Sequence, residues 1–270
     1  MKTGFIGAGN MAEAIIKGMV KNGAKADSIL IYDIDKEKTG RLSEACGALT
    51  VSSNHELAAL SDIIVLAVKP HLIKTVLDEV KEPLNSAKHT LVSIAAGITL
   101  EMLEEFTGDS NMPTIRVMPN VNSAVLMGMS ALCKNSFVSE EAYGYTKNMF
   151  EKIGKIAELD ENFFPVFGAL AGSSPAFAFL FIESMAKAAH KAGMPKAKAL
   201  EIAAQAVLGS AALVLESGKH PWELIDSVCS PGGTTIEGIC TLEREGFPAA
   251  VVNCLDNCMA KDKIIMERNK

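Results

Sequence analysis

No two cysteines stand close enough in this chain to form a Cys-x-x-Cys pair; Cys46, Cys133, Cys229, Cys240, Cys254 and Cys258 are scattered. Cys254 and Cys258 fall one turn apart on a predicted helix without a histidine nearby, so a zinc site lacks ligands. No metal is expected, and free thiols in a reducing compartment are. Positive charge is scarce too: 26 Lys and Arg stand against 32 Asp and Glu, a net charge of −6. Such a surface repels nucleic-acid phosphates and anionic headgroups, which excludes both as expected partners. The opening residues, Met1 to Gly7, enter a strand directly with no basic region, apolar run and cleavage site, so a cytoplasmic protein is expected. The most apolar stretch, Ala176 to Ala189, is interrupted by Glu183 and is short for a membrane span, so it reads as a buried helix. Internal repeats and low-complexity tracts are missing as well.

What is present suffices for a folded core, since 49% of the 270 residues are hydrophobic and 21% charged. Short apolar runs alternate with amphipathic stretches through the first half. Strands are predicted at 3–7, 29–33, 49–52, 63–68, 90–95 and 114–118, with helices at 10–22, 35–46, 56–60 and 71–81 between them. That alternation predicts βαβ crossovers and an α/β fold with a Rossmann-like, doubly wound parallel sheet. Strands at 130–133 and 156–159, flanking a helix at 139–152, extend it. From Phe163 the character changes to long Ala-, Leu- and Met-rich helices at 176–192, 195–217, 221–228, 234–244 and 248–266. The run from Ala199 to Leu215 is apolar almost all round and needs cover on several sides. A subunit interface is its natural host. The expected division is therefore a dinucleotide-binding domain at 1–162 and an all-helical dimerisation and substrate domain at 163–270.

Between the first strand and first helix lies Gly7-Ala8-Gly9-Asn10-Met11-Ala12, a G-x-G-x-x-A form of the dinucleotide fingerprint. Gly7 permits the tight turn, Gly9 lets the backbone approach a pyrophosphate, and Ala12 allows helix to pack on strand. Asp33, at the end of the second strand, is placed to bind a ribose 2′-hydroxyl and repel a 2′-phosphate. Lys36 and Lys38 follow closely and soften that repulsion, so Asp33 tips the choice only slightly to NADH, with NADPH still open.

Two further segments stand out. In Ser230-Pro231-Gly232-Gly233-Thr234-Thr235-Ile236-Glu237, Thr234 and Glu237 have capping-box spacing, and the glycines leave amides free to converge on an anion such as a carboxylate. An ordinary glycine-rich turn is the alternative. In Gly172-Ser173-Ser174-Pro175, Ser173 serves equally as a helix cap or as a substrate contact.

These segments, with Ala67-Val68-Lys69-Pro70, Ala95-Ala96-Gly97 and Met118-Pro119-Asn120, make the chain resemble the pyrroline-5-carboxylate reductases over essentially its whole length. The resemblance implies reduction of 1-pyrroline-5-carboxylate to proline with NADH or NADPH. By it, Gly7, Gly9, Asn10 and Met11 form the phosphate turn, and Asp33 and Asn54 meet the adenosine ribose or its phosphate. Ala67, Val68, Lys69, Pro70, Ala95, Gly97 and Asn120 belong to the cofactor site. Gly232, Gly233, Thr234, Thr235 and Ser173 face the substrate, with Thr235 also near the ring nitrogen in a catalytic role. The resemblance further implies homodimers, often assembled into decamers, in which the 230–237 loop completes a neighbour's site. The family often has Gly-Ser-Gly-Pro where this chain has Gly172-Ser173-Ser174-Pro175.

The residues also bear on chemistry. Reducing a ketone calls for a placed general acid. Related dehydrogenases of 3-hydroxy acids carry a lysine on the first long helix of the second domain; here no lysine precedes Lys187. His55, His71, His89, His190 and His220 offer no clear acid. A protonated cyclic imine is already an electrophile and needs chiefly alignment with the nicotinamide. The missing acid therefore favours an imine substrate.

Overall fold

The computed structural model describes residues 1–269. Its sheet carries eight strands in the order β3-β2-β1-β4-β5-β6-β7-β8. They are β1 (Thr3–Ile6), β2 (Ile29–Tyr32), β3 (Leu49–Thr50), β4 (Ile63–Leu66), β5 (Thr90–Ser93), β6 (Thr114–Met118), β7 (Gly128–Lys134) and β8 (Gly154–Glu158). The helices between them are α1 (Asn10–Lys21), α2 (Lys36–Cys46), α3 (Asn54–Leu60), α4 (Ile73–Glu79), α5 (Leu100–Thr107) and α6 (Glu140–Glu151). Strands β1, β4 and β5 are buried at every position, and β4 accordingly reads as an unbroken apolar run. One apolar cluster on the sheet centres on Phe5, Ile15, Ile16, Val65 and Phe150, and the other on Ile6, Leu57, Leu66, Leu77 and Leu103.

The first six strands run parallel, but β7 pairs antiparallel with β6, and β8 then pairs parallel with β7. The two strands expected to extend the sheet are present as β7 and β8, with the direction reversed at β7. Only a 3₁₀ segment, Val121–Val125, joins β6 to β7, and without a crossover helix the chain can only turn back. Helix α5 is an addition to the predicted set: Thr99 caps it by accepting from the Met102 N–H (3.1 Å), and Gly108 ends it at φ 67°. The predicted helix at 71–81 is a 3₁₀ turn, Pro70–Leu72, followed by α4.

The chain divides into two compact units, one holding Met1–Gly172 with the chain's end from Met259, the other Ser173–Cys258. The sheet unit thus runs past residue 162, because α7 (Phe164–Phe167) packs Phe164 and Phe167 against Ala131 and Cys133 of β7. The helical unit contains α8 (Ser174–Lys191), α9 (Lys196–Ser217), α10 (Pro221–Val228), α11 (Thr234–Arg244) and the first part of α12 (Phe247–Asn269). Within it only Pro175, Ala186, Ala199 and Ala203 are buried. Leu180, Leu213, Leu215, Val228 and Val252 stay exposed.

Candidate functional site

The sheet order reverses direction at β1, whose neighbours are β2 on one side and β4 on the other. In doubly wound sheets, dinucleotides bind at such a switch point, outside the carboxyl ends of the strands. The glycine turn sits there. The Gly7 N–H donates to Tyr32 O (2.8 Å) and the Ala67 N–H to Ile6 O (2.9 Å), so the strand ends are laced together at this point. Gly7 has φ 104°, and a Cβ on it would lie 2.6 Å from Ala67 O. Both conformation and contact therefore exclude a side chain.

Gly9 differs. It is the N-cap of α1 with ordinary angles (φ −74°, ψ 176°), and a Cβ on it would meet nothing within 4 Å. Nothing in the protein's own packing demands glycine, and the open space lies at the N-terminal, electropositive end of a 12-residue helix without a side-chain cap. This cradle fits a pyrophosphate. Asn10 and Met11 open that helix.

Asp33 lies one residue beyond β2. Its carboxylate accepts from the Ala8 N–H (2.8 Å) and the Asp35 N–H (2.9 Å), so it also ties down the glycine turn. Asn54 opens α3 at the carboxyl end of β3; its amide donates to Glu79 Oε2 (2.7 Å). Ala67 and Val68 stand beside Gly7 at the end of β4, and Lys69 is exposed ahead of the Pro70 turn. Ala95 is buried, and Gly97 turns at φ 74° beyond β5. These segments all leave the same edge of the sheet. Asn120 is 6% exposed, with its amide donating to Ala171 O (2.9 Å) and accepting from the Met129 N–H (3.1 Å). One donor and one acceptor position of its side chain are thus used within the fold.

In the helical unit, Ser230-Pro231-Gly232-Gly233 forms a tight turn closed by the Gly233 N–H donating to Ser230 O (3.0 Å), with Gly232 at φ 68°. Proline followed by a left-handed glycine is the signature of a type II turn. Gly233, not Thr234, is the N-cap of α11, and no side chain caps the helix. The Thr234–Glu237 capping box is therefore corrected: starting one residue early makes Thr234 the first helical residue and leaves the first-turn amides unclaimed. Thr234 and Thr235 are exposed at that end. The capping reading of Ser173 is corrected too. A π-helical turn, Gly168–Ser173, leads into α8 and the Ser173 hydroxyl makes no capping bond. Such turns are frequent at functional sites.

Arg116 escaped the sequence reading. It is 2% exposed on β6, donates to Glu161 Oε1 (2.8 Å) and lies 4.4 Å from the Phe164 ring centroid. Glu161 also accepts from the Leu100 N–H (2.8 Å), so the pair anchors the segment leaving the sheet. An arginine set inside the apolar run Thr114-Ile115-Arg116-Val117-Met118 was the available signal. Two hollows, of about 470 Å³ by Lys134 and Tyr143 and about 340 Å³ by Asn22 and Tyr145, contain none of the predicted site residues.

A switch-point glycine turn with an acid beyond β2, followed by a helical unit rich in exposed apolar surface, defines a two-domain nicotinamide-dinucleotide oxidoreductase. Residues 161–265 match the family model described as pyrroline-5-carboxylate reductase dimerisation, and residues 2–97 match one described as NADP oxidoreductase coenzyme F420-dependent. The pyrroline-5-carboxylate reductase of Escherichia coli (strain K12) is 43% identical over 97% of both chains. The solved pyrroline-5-carboxylate reductase of Coxiella burnetii superposes with a TM-score of 0.92 at 33% identity, covering 97% of each chain. The Plasmodium falciparum pyrroline carboxylate reductase, solved with NADP bound, gives 0.88 at 32% identity, covering 98% of each. The chain belongs to the pyrroline-5-carboxylate reductase family.

Two helical runs, Glu161–Lys191 and Lys196–Ser217, are long and apolar enough to cross a membrane by length and composition. The expected shortness of the first is corrected, since the turns before α8 lengthen it. Both runs lie within residues 161–265, the part matched by the dimerisation model.

Proposed function

We infer that the chain reduces 1-pyrroline-5-carboxylate to L-proline with NAD(P)H, the last step of proline biosynthesis. The observation carrying this reading is the uncapped start of α11, with Gly232 and Gly233 ahead of it, in a chain matching the family over nearly its whole length. Residues 1–162 hold the dinucleotide: Gly7, Gly9, Asn10 and Met11 at its phosphates, Asp33 and Asn54 at the adenosine ribose, and the backbone of 67–70 and 95–97 toward the nicotinamide. Asn120 supports that edge of the sheet. Residues 163–270 pair two subunits and present Gly232, Gly233, Thr234 and Thr235, with Ser173, to the substrate.

Amides at a helix start hold a carboxylate without an arginine, leaving the ring free to be placed by apolar contacts. The cofactor supplies a hydride to the C=N carbon, and the nitrogen, already protonated, becomes the amine of proline. Thr235 supplies a hydroxyl to that nitrogen, and no side chain has to transfer a proton in the hydride step. The loop serves a neighbouring subunit's cofactor, the dimers assemble into decamers, and the protein is cytoplasmic. The exposed Leu and Val side chains on α9 and α12 support pairing over a membrane, because Ala186, Ala199 and Ala203 already bring α8 and α9 together as small-residue faces. Oxidation of NADH and NADPH on addition of 1-pyrroline-5-carboxylate, followed at 340 nm, tests the reading. Absence of turnover with both would refute it.

A further inference from the structure

The corner around Asp33 resolves the cofactor choice that composition leaves open. We propose that this chain selects NADH over NADPH, and that Glu79 is a positioning residue for that choice, acting through Asn54; this rests on the adenosine ribose lying at Asp33 and Asn54.

Strand β3 pairs with β2 so that Thr50 lies opposite Ile31. Asp33 and Asn54 therefore emerge beyond the carboxyl ends of neighbouring strands. The Asp33 carboxylate is held by two backbone N–H groups, and each of its oxygens keeps acceptor capacity for a ribose hydroxyl. Asn54 is 7% exposed, and its Nδ2 donates to Glu79 Oε2 at 2.7 Å. A carboxylate can only accept, so Glu79 fixes which way the amide faces and turns the oxygen away from itself. That Oδ1 is buried, and none of the described residues donates to it. A buried acceptor without a donor is costly, and a ribose hydroxyl is a donor while a 2′-phosphate dianion is not.

The cations that follow do not reverse this balance. Lys36 Nζ sits 4.2 Å from the Tyr32 ring centroid, and Lys38 Nζ lies 3.3 Å from Asp35 Oδ2. Each is engaged with a partner of this protein, Lys36 with Tyr32 at the end of β2 and Lys38 with Asp35. Phosphate recognition at this position instead uses a nearby arginine. What remains at the corner is a fixed negative charge and a fixed neutral acceptor, both suited to a diol.

Dissociation constants for NADH and NADPH by cofactor fluorescence, together with kcat/KM for each, test the assignment. The wild-type chain should favour NADH by about 10-fold or more, the scale of one charge-assisted hydrogen bond. Asp33→Ser should shrink that ratio by about 10-fold. Glu79→Ala should weaken NADH by about 3- to 10-fold and leave NADPH nearly unchanged, Glu79→Gln should restore the ratio, and Asn54→Ala should reproduce the loss without touching Glu79. Equal use of the two cofactors, or a preference for NADPH, overturns the selectivity. Glu79→Ala or Asn54→Ala weakening both cofactors alike overturns the positioning role. Failure of the underlying site is separate: Gly9→Asp would then bind NADH as the wild type does.

Discussion

Gly7 and Gly9 stand in one turn, yet alanine at each should have opposite consequences. At Gly7 an alanine must keep φ 104° and place its Cβ 2.6 Å from Ala67 O and 2.9 Å from Ala67 C. Those are backbone atoms held by the pairing of β1 with β4, so they cannot yield cheaply. The conformation costs about 1–3 kcal/mol and the overlap about as much again, for a total of roughly 2–6 kcal/mol. That is a large part of a domain's whole stability. At Gly9 the backbone is already in a region open to any residue, and the methyl group meets no atom. Gly9→Ala should keep or slightly raise stability, by up to about 1 kcal/mol, through the less flexible unfolded chain. The same methyl occupies the space assigned to the pyrophosphate, so NADH affinity should fall about 10- to 100-fold, or about 1.4–2.7 kcal/mol. Urea unfolding measures the first quantity and NADH fluorescence the second. Gly9→Ala binding NADH with wild-type affinity would refute the cradle, and Gly7→Ala unfolding at the wild-type midpoint would refute the steric argument.

Thr235→Ala should lower kcat/KM by about 10- to 100-fold, short of total loss because alignment for hydride transfer survives. Gly233→Val should be worse, since its side chain would collide with Ser230 Oγ and sit 3.0 Å from Ser230 O; steady-state kinetics with NADH binding in parallel decide both. Light scattering at micromolar concentration should find at least a dimer, and a folded, active monomer would contradict the role given to the exposed faces of α9 and α12. His89 is 1% exposed, and burial lowers its pKa below the usual 6.5, with the neighbouring Lys88 charge adding to the effect. Its Nδ1 accepts from the Asn85 N–H (2.9 Å), a bond that protonation breaks. The unfolded chain therefore binds the proton more readily, and stability should fall as pH drops below about 6.5 toward the lower folded value. Urea midpoints at pH 8, 6.5 and 5.5 should show this slope, and His89→Gln should flatten it.

Much of the fold was legible because burial leaves marks in sequence. The run Ile63 to Leu66 is apolar because both sheet faces are covered. Helix α5 was less visible: at eight residues it offers few periods, and its markers, Thr99 and Gly108, read as well in a loop. The reversal at β7 depends on the length of a connection, not on the strand's own residues. At the site, Gly7 and Gly9 looked alike as letters, and only coordinates separate the glycine the fold demands from the one it does not. Asn120 stands out by its motif, and only the structure shows that its amide also ties β7 to the turn before α8 through Met129 and Ala171.

The helix start at Gly233 shows why a local pattern can be right in place and wrong in role. Thr234 and Glu237 have the spacing of reciprocal capping, and a capped start would have closed the anion site by satisfying its amides internally. The Ser230–Gly233 turn begins α11 one residue earlier, so the Thr234 side chain is already past the capping position. Glycine is favoured there because a Cβ would displace the Ser230 hydroxyl and sit 3.0 Å from Ser230 O. A turn that favours glycine at the N-cap removes the side chain that would otherwise compete for the amides. The same residue choice that makes the turn tight thus leaves the helix end free for an external carboxylate. On the proposed carboxylate site, charge selectivity would follow from geometry, without a cation that would also attract phosphate-bearing competitors.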